Sequence, residues 1–402
     1  MSVFALFQNR SFAGLLLANT IFGMAFPVQL ILGGLAGLML APDPALATLP
    51  SSIQTLAGMV AAAPLSLLMG RFGRRVGFAV GGLLTFVGAV GAVLALSSQN
   101  FALLCAAHFL MGAGWAAFQF FRFAAGEAVA EPWRPVAISL MLSALLVAAL
   151  VGPEVFIRAK DALAPLPFAG AYGATGVIAL LGLLPLLAVR LPRPPRRSAS
   201  APTSAPTGRF AALAALRRPA VRNAVGIAAI SQGVMVFLMI PTPIAMVGCG
   251  FAAETASDVV RWHIVAMFAP SFVTGFLIKR FGAHTIAVTG LIIILGAALG
   301  ATLGLSAMHF YGALIALGLG WNFGFIGATT LLDAALSEEE KAAVQGANDT
   351  IIALVSTLCA FASGLVVSQL GWAVLALISA GLVALALVYF LAARGRAADM
   401  PM

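Results

Sequence analysis

The chain has 402 residues, 62% of them hydrophobic and only 9% charged, with a mean hydropathy of +1.06. A water-soluble domain carries roughly 25% charged residues, so lipid must cover most of this exterior, and a soluble globular fold is excluded. The formal net charge of +9 does not point to nucleic acid, because the bases lie between apolar runs, where membrane loops place them.

A hydrocarbon layer about 30 Å thick requires roughly twenty apolar residues per spanning helix. On that ruler the first half of the chain predicts spans at 12–40, 45–69, 76–97, 101–126, 135–157 and 166–190. The first run is too long for a signal-peptide core and is read as a span. Pro42, Pro44, the stretch Gly70–Arg75 and the turn at Ser97–Asn100 punctuate these runs. Next comes LPRPPRRSASAPTSAPTGRFAALAALRRP over 191–220. Its Pro, Ser, Ala and Arg content cannot bury apolar surface and predicts a flexible linker, cytoplasmic and basic. The second half predicts spans at 221–247, 257–278, 284–305, 308–332, 342–367 and 371–393. The expected architecture is therefore an all-α membrane protein of twelve transmembrane helices, in an N-terminal half (1–190) and a C-terminal half (221–402). With both termini cytoplasmic, 18 of the 22 Lys and Arg residues fall on the inner side. Arg158, Lys160 and Arg261 face outward, and Arg122 lies within a span. This bias sets the orientation in the bacterial inner membrane.

The halves repeat. Arg71-Phe72-Gly73 follows the second span and Arg280-Phe281-Gly282 the eighth, 209 residues apart. Gly112-Ala113-Gly114-Trp115 in the fourth span recurs as Gly318-Leu319-Gly320-Trp321 in the tenth, 206 residues apart. Matches in equivalent places at nearly one offset indicate duplication, as in secondary transporters. The whole pattern resembles the major facilitator superfamily. The usual G-x-x-x-D-R-x-G-R-R between its second and third helices corresponds to Ser66 through Gly70-Arg71-Phe72-Gly73-Arg74-Arg75, with Gly70 in place of the acid. His108 stands where the fourth helix usually has arginine, and Gly152-Pro153 is similar to the antiporter Gly-Pro signature.

Polar groups inside spans are costly and mark pathways. Glu127 and Asp333 sit near helix ends, where a solvated or capping role is expected, and Asp349 lies about 12 Å into the eleventh span. Softer groups form a sharper pattern. Met235 and Met239 in the seventh span, and His263 and Met267 in the eighth, are i, i+4 pairs on one helix face each. At 1.5 Å per residue, Met235 and Met239 lie about 21 and 27 Å from the inner face. His263 and Met267 lie about 9 and 15 Å below the outer face, so the four can share a layer. Pro241 and Pro243 are expected to kink the seventh helix there. Thioethers and an imidazole form a soft, neutral ligand set that favours Cu(I), whereas methionine as a flexible core filler is the plain alternative. M-x-x-x-M followed by H-x-x-x-M is similar to the CcoA-type copper importers. That resemblance implies copper binding by Met235, Met239, His263 and Met267, and copper uptake that feeds assembly of cbb-type cytochrome c oxidase. Accessory candidates are Cys105, His108 and Met111 on the fourth span, Asp349, and Met246 with Cys249 beyond the seventh helix.

The first expectation is therefore a secondary-active Cu(I) importer working by alternating access, without a cofactor, as a monomer whose partners are the copper ion and the lipid bilayer. The rival is a proton-coupled carrier of a small organic solute such as riboflavin, another vitamin or a drug. In that case Phe118, Trp115, Phe120 and Trp321 would stack on the solute, with Asp349 or His108 taking the proton. A transport-inactive sensor is a third class. No phosphate-binding loop or nucleophile constellation is present, so an enzyme is not expected.

Overall fold

The computed structural model describes residues 3–191 and 214–398, and these are helical with short connections. Most of the 191–220 linker lies outside the described residues. After a short helix at Val3–Gln8, the spanning helices are α1 Arg10–Leu40, α2 Leu49–Phe72, α3 Arg74–Ser97, α4 Phe101–Phe118 with a continuation at Phe121–Glu127, α5 Arg134–Ala159 and α6 Ala169–Leu183. They continue as α7 Pro219–Met239 with Thr242–Gly248, α8 Ala253–Phe268 with Ser271–Phe281, α9 Ala283–Gly300 and α10 Ala307–Ala334. Glu338–Ala398 is one helical stretch broken at Gly371, whose φ of 82° leaves the helical region. Its apolar part, Ala343–Ala392, is 50 residues long, or about 75 Å, twice what a bilayer core needs. It therefore counts as α11 and α12 on either side of Gly371.

Two breaks shape the spans. The seventh bends between Met239 and Thr242, where Pro241 cannot donate a backbone hydrogen bond, as the sequence suggested. The eighth, expected as one helix over 257–278, is instead two pieces bent by 40° at Ala269–Pro270. Pro270 is the physical cause.

The chain divides into two compact units, Met1–Ser198 with Gly250–Arg261, and Ala199–Cys249 with Trp262–Met402. Gly250–Arg261 belongs with the first unit through charge. Lys160 pairs with Glu254 at 2.9 Å and with Asp161, and Arg261 pairs with Glu154 at 3.2 Å. Ser257 donates to the Pro153 carbonyl at 3.4 Å.

Helices in lipid gain little from hydrophobic association and pack by close van der Waals contact, which small residues permit. The duplicated glycines do this in both units. In unit 1, a Cβ on Gly112 would strike the Gln54 carbonyl of α2, and one on Gly114 would meet the Gly81 carbonyl of α3 at 2.6 Å. In unit 2, a Cβ on Gly318 would meet the His263 carbonyl of α8 at 2.5 Å, and one on Gly320 the Gly290 carbonyl of α9 at 2.9 Å. The first glycine of each G-x-G-W motif thus seats the fourth helix of its unit on the second helix, and the next glycine seats it on the third. The repeated Arg-Phe-Gly turns have an equally local cause. Gly73 and Gly282 have φ of 95° and 85°, a region that side chains with a Cβ avoid. Arg74, just after the first of these turns, holds Glu127 through its Nε and Nη2, the shortest contact being 2.7 Å. Asp333, equivalent to Glu127 in the other unit, pairs with Lys341 at 3.2 Å. Both acids are ion-paired rather than merely solvated.

Candidate functional site

An aromatic recess lies inside unit 1, between α1, α3 and α4, and is partly open. One wall is a continuous stack. The Phe26 and Trp115 rings lie 4.1 Å apart at 18°, and Trp115 and Phe118 lie 4.6 Å apart at 19°. Phe22 and Phe121 close its end, their centroids 6.0 Å apart. Gly81, Gly82 and Gly114 line the same space without side chains, and a Cβ on Gly114 would meet the Gly81 carbonyl at 2.6 Å, so their absence lets α3 and α4 approach closely beside the stack. Phe26 and Trp115 are only half-buried. Such a slot suits a flat aromatic body, which gains most from offset stacking.

The polar groups lining the recess include Gln29 and Thr85. Thr85 returns its hydroxyl proton to the Gly81 carbonyl at 3.0 Å. Gln29 is buried and joined to a deeper chain. Gln54 Nε2 donates to Gln29 Oε1 at 3.0 Å, His108 Nδ1 meets Gln54 Oε1 at 2.8 Å, and His108 Nε2 meets the Tyr172 hydroxyl at 2.8 Å. All four side chains are at least nine-tenths buried. The chain crosses α1, α2, α4 and α6, so it also fixes those helices in register.

The residues picked out for copper sit elsewhere. Met235 and Met239 are buried on α7, and His263 and Met267 are buried on α8. His263 Nδ1 donates to the Leu314 carbonyl of α10 at 2.7 Å, and Asn322 Nδ2 donates to the Met267 carbonyl at 2.7 Å. These are helix-packing bonds within unit 2. The position of His263 is that of Gln54, 209 residues earlier, and Leu314 is that of His108, 206 residues earlier. The H-x-x-x-M segment therefore lies on the unit 2 copy of the α2–α4 seam.

The accessory candidates are also dispersed in their partners. On α4, Cys105 is buried, His108 belongs to the polar chain, and Met111 packs so closely on α3 that a Cβ on Gly88 would lie 2.7 Å from its Cγ. Met246 is buried, Cys249 is exposed, and exposed Asp349 accepts from Asn348 Nδ2 at 3.2 Å. Among the described residues, no group of three or more His, Cys, Asp or Glu side chains is placed to hold a metal ion.

Of the aromatic residues named for an organic solute, the recess brings together Trp115 and Phe118. Phe120 turns away, with the Arg74 guanidinium 5.8 Å from its ring centre. Trp321 lies in unit 2, where it stacks on Phe325 at 5.0 Å and donates through Nε1 to Gln232 Oε1 at 2.7 Å. Sequence reasoning missed Phe22, Phe26, Gln29 and Tyr172. Gln29 carried a usable signal, since it is an amide deep within the long apolar run of α1.

The Major Facilitator Superfamily model matches residues 11–358. The chain belongs to this superfamily. It is a multi-pass membrane transporter and not an enzyme. Among curated proteins it is similar to the riboflavin transporter RfnT of Brucella anthropi, with 36% identity over 382 residues, covering 94% of each chain. It is also similar to the uncharacterized MFS-type transporter YddS of Bacillus subtilis, 29% identical over 344 residues, which is 82% of this chain and 78% of that protein. Among solved structures, the nucleoside transporter NupG superposes with a TM-score of 0.74 at 14% identity, covering 95% of this chain and 98% of that one. A bacterial homologue of the lysosomal transporter Spinster gives 0.69 at 16% identity, covering 96% and 98%. These two likenesses speak to the fold. The riboflavin transporter overturns the expectation of a copper importer, and with it the link to cytochrome oxidase assembly. The four-side-chain motif that suggested copper occurs here in a chain whose full-length curated relative carries an organic molecule.

Proposed function

We propose that this transporter carries riboflavin, or a solute with the same flat heteroaromatic core, across the bacterial inner membrane by alternating access. The observation that carries the reading is the 36% identity with a riboflavin transporter over 94% of both chains. The stacked wall of Phe26, Trp115 and Phe118 supports it chemically, because a planar tricyclic ring would extend that stack. Gln29 and Thr85 supply the few polar contacts that orient a ligand in an apolar pocket. The positive-inside bias supports cytoplasmic termini.

The test is uptake of labelled riboflavin into cells that cannot make it, with wild type, Trp115→Ala and Phe118→Ala at matched membrane levels. Losing one stacking partner is worth about 1–3 kcal/mol per ring, so each variant should need about tenfold more riboflavin for half-maximal uptake. Wild-type cells that accumulate no riboflavin above the empty-vector control would sink the reading.

A further inference from the structure

We propose that Tyr172, His108, Gln54 and Gln29 form a directional hydrogen-bond chain that makes the Gln29 NH₂ the unpaired group at the recess, so that the transporter selects a ring carbonyl on its solute. This deepens the functional reading above and rests on the recess being the solute site.

The direction follows from the buried end. A chain of two amides and an imidazole can run either way, because each amide can turn over and the imidazole can change tautomer. Tyr172 removes that symmetry. Its hydroxyl is fully buried and makes one hydrogen bond among the described residues, to His108 Nε2. If Tyr172 donates, its proton is satisfied and only spare acceptor capacity is left. If it accepts, its own proton points at nothing, and an unpaired buried donor is heavily penalised. Tyr172 therefore donates to His108 Nε2. His108 carries its proton on Nδ1 and donates it to Gln54 Oε1. Gln54 donates through Nε2 to Gln29 Oε1.

The consequence appears at the far end. The Gln29 oxygen already accepts within the chain, so the group without a partner is its NH₂. No group among the described residues accepts from that nitrogen. A solute that offers a carbonyl oxygen there completes the network. A solute that offers an amine at that NH₂ meets donor with donor, and turning the amide over means turning over every member of the chain and orphaning the Tyr172 proton. The isoalloxazine ring has ring carbonyls on its pyrimidine end, which fits this demand. Tyr172 acts as a positioning residue, because it sets the recess chemistry through two intermediates without touching the solute.

The experiment is competition against uptake of labelled riboflavin by unlabelled riboflavin and by an amino analogue, in which an exocyclic amine replaces one ring carbonyl oxygen. It is run on wild type, Tyr172→Phe and Gln29→Leu. The readout is the ratio of half-inhibiting concentrations, which is independent of how much transporter reaches the membrane. Wild type should favour riboflavin by at least about tenfold, the scale of one hydrogen bond between well-placed partners. In Tyr172→Phe both chain directions leave one imidazole nitrogen unpaired, so the ratio should fall toward one while riboflavin uptake drops only a fewfold. In Gln29→Leu the ratio should also fall toward one. If Tyr172 served only to pack the helices, its loss would weaken both ligands alike and leave the ratio at its wild-type value, which overturns the proposal. An unchanged ratio in Gln29→Leu overturns it as well. Absence of wild-type riboflavin uptake defeats the functional reading instead, so the two failures are distinct.

Discussion

The two buried histidines give opposite forecasts for one and the same substitution. His108→Leu removes a ring that satisfies two partners. The Gln54 oxygen and the Tyr172 hydroxyl are both left buried and unpaired. At about 1–3 kcal/mol for each orphaned group, the loss is about 2–6 kcal/mol. His263→Leu removes one hydrogen bond, Nδ1 to the Leu314 carbonyl, with a net value of about 0.5–1.5 kcal/mol. Leu314 lies mid-helix in α10, so its carbonyl keeps its intrahelical partner. The same substitution also removes His263 Nε2, a buried nitrogen with no hydrogen-bond partner among the described residues. Removing that orphan returns about 1–3 kcal/mol. The two terms nearly cancel, and His263→Leu should lie within about 1 kcal/mol of wild type or above it. The assay is the apparent unfolding temperature of purified protein in detergent, followed by tryptophan fluorescence at one scan rate, since membrane proteins of this size seldom unfold reversibly. His108→Leu should melt well below wild type and His263→Leu alongside it. Equal falls in the two variants, or a larger fall for His263→Leu, would refute the reasoning. Added Cu(I) should leave the wild-type midpoint unmoved.

Other consequences are simpler to check. Gly320→Val should cost about 1–3 kcal/mol by overpacking and reduce transport, since even its Cβ would stand 2.8 Å from the Ile294 nitrogen. Gly312→Ala, where a Cβ meets nothing within 4 Å, should melt as wild type or slightly higher. Gly73→Ala and Gly282→Ala should each cost about 1–2 kcal/mol from left-handed strain, read as lower apparent unfolding temperatures. Glu340 is held below the usual carboxylate range by the Ser337 backbone N–H and by Arg218. Its contribution is thus present at neutral pH and lost as pH falls through that lowered value. Hydrogen exchange at the start of α11 should rise on acidification in wild type, and less so in Glu340→Gln.

Much of the architecture was legible because membrane spans and glycine seams are written locally. The apolar runs gave the helices to within a few residues, and the Arg-Phe-Gly and G-x-G-W repeats marked real backbone needs, namely a left-handed turn and a close helix crossing. The break at Pro270 was also visible in principle, but the run around it is apolar enough to read as one span. The recess was only half legible. Trp115 and Phe118 stood out as large rings beside the repeated glycines, whereas Phe22 and Phe26 were hidden in the first apolar run. Phe120 falls outside the recess because two residues at helical spacing swing a side chain by about 200°, here onto Arg74. The Tyr172 to Gln29 chain joins residues from four helices, and no spacing rule connects them.

The duplication explains why a soft-ligand motif could mislead. Gly23 on α1 faces Leu145 and Ala148 of α5, and Gly233 on α7 faces Val355 and Cys359 of α11, so these helices repeat at an offset of 210. On that offset Met239 occupies in unit 2 the place of Gln29 in unit 1, while on the α2/α8 offset of 209 His263 occupies the place of Gln54. In unit 1 those two positions hold a hydrogen-bonded amide pair leading to the recess. In unit 2 the corresponding pair is a thioether and an imidazole, and the imidazole bonds the backbone of its own α8–α10 seam. The i, i+4 methionine and histidine pairs therefore coincide with inward-facing seam positions that duplication had already set. A pattern placed by packing needs no metal to explain its periodicity. In unit 1 the equivalent positions hold amide side chains, which can present hydrogen-bond donors.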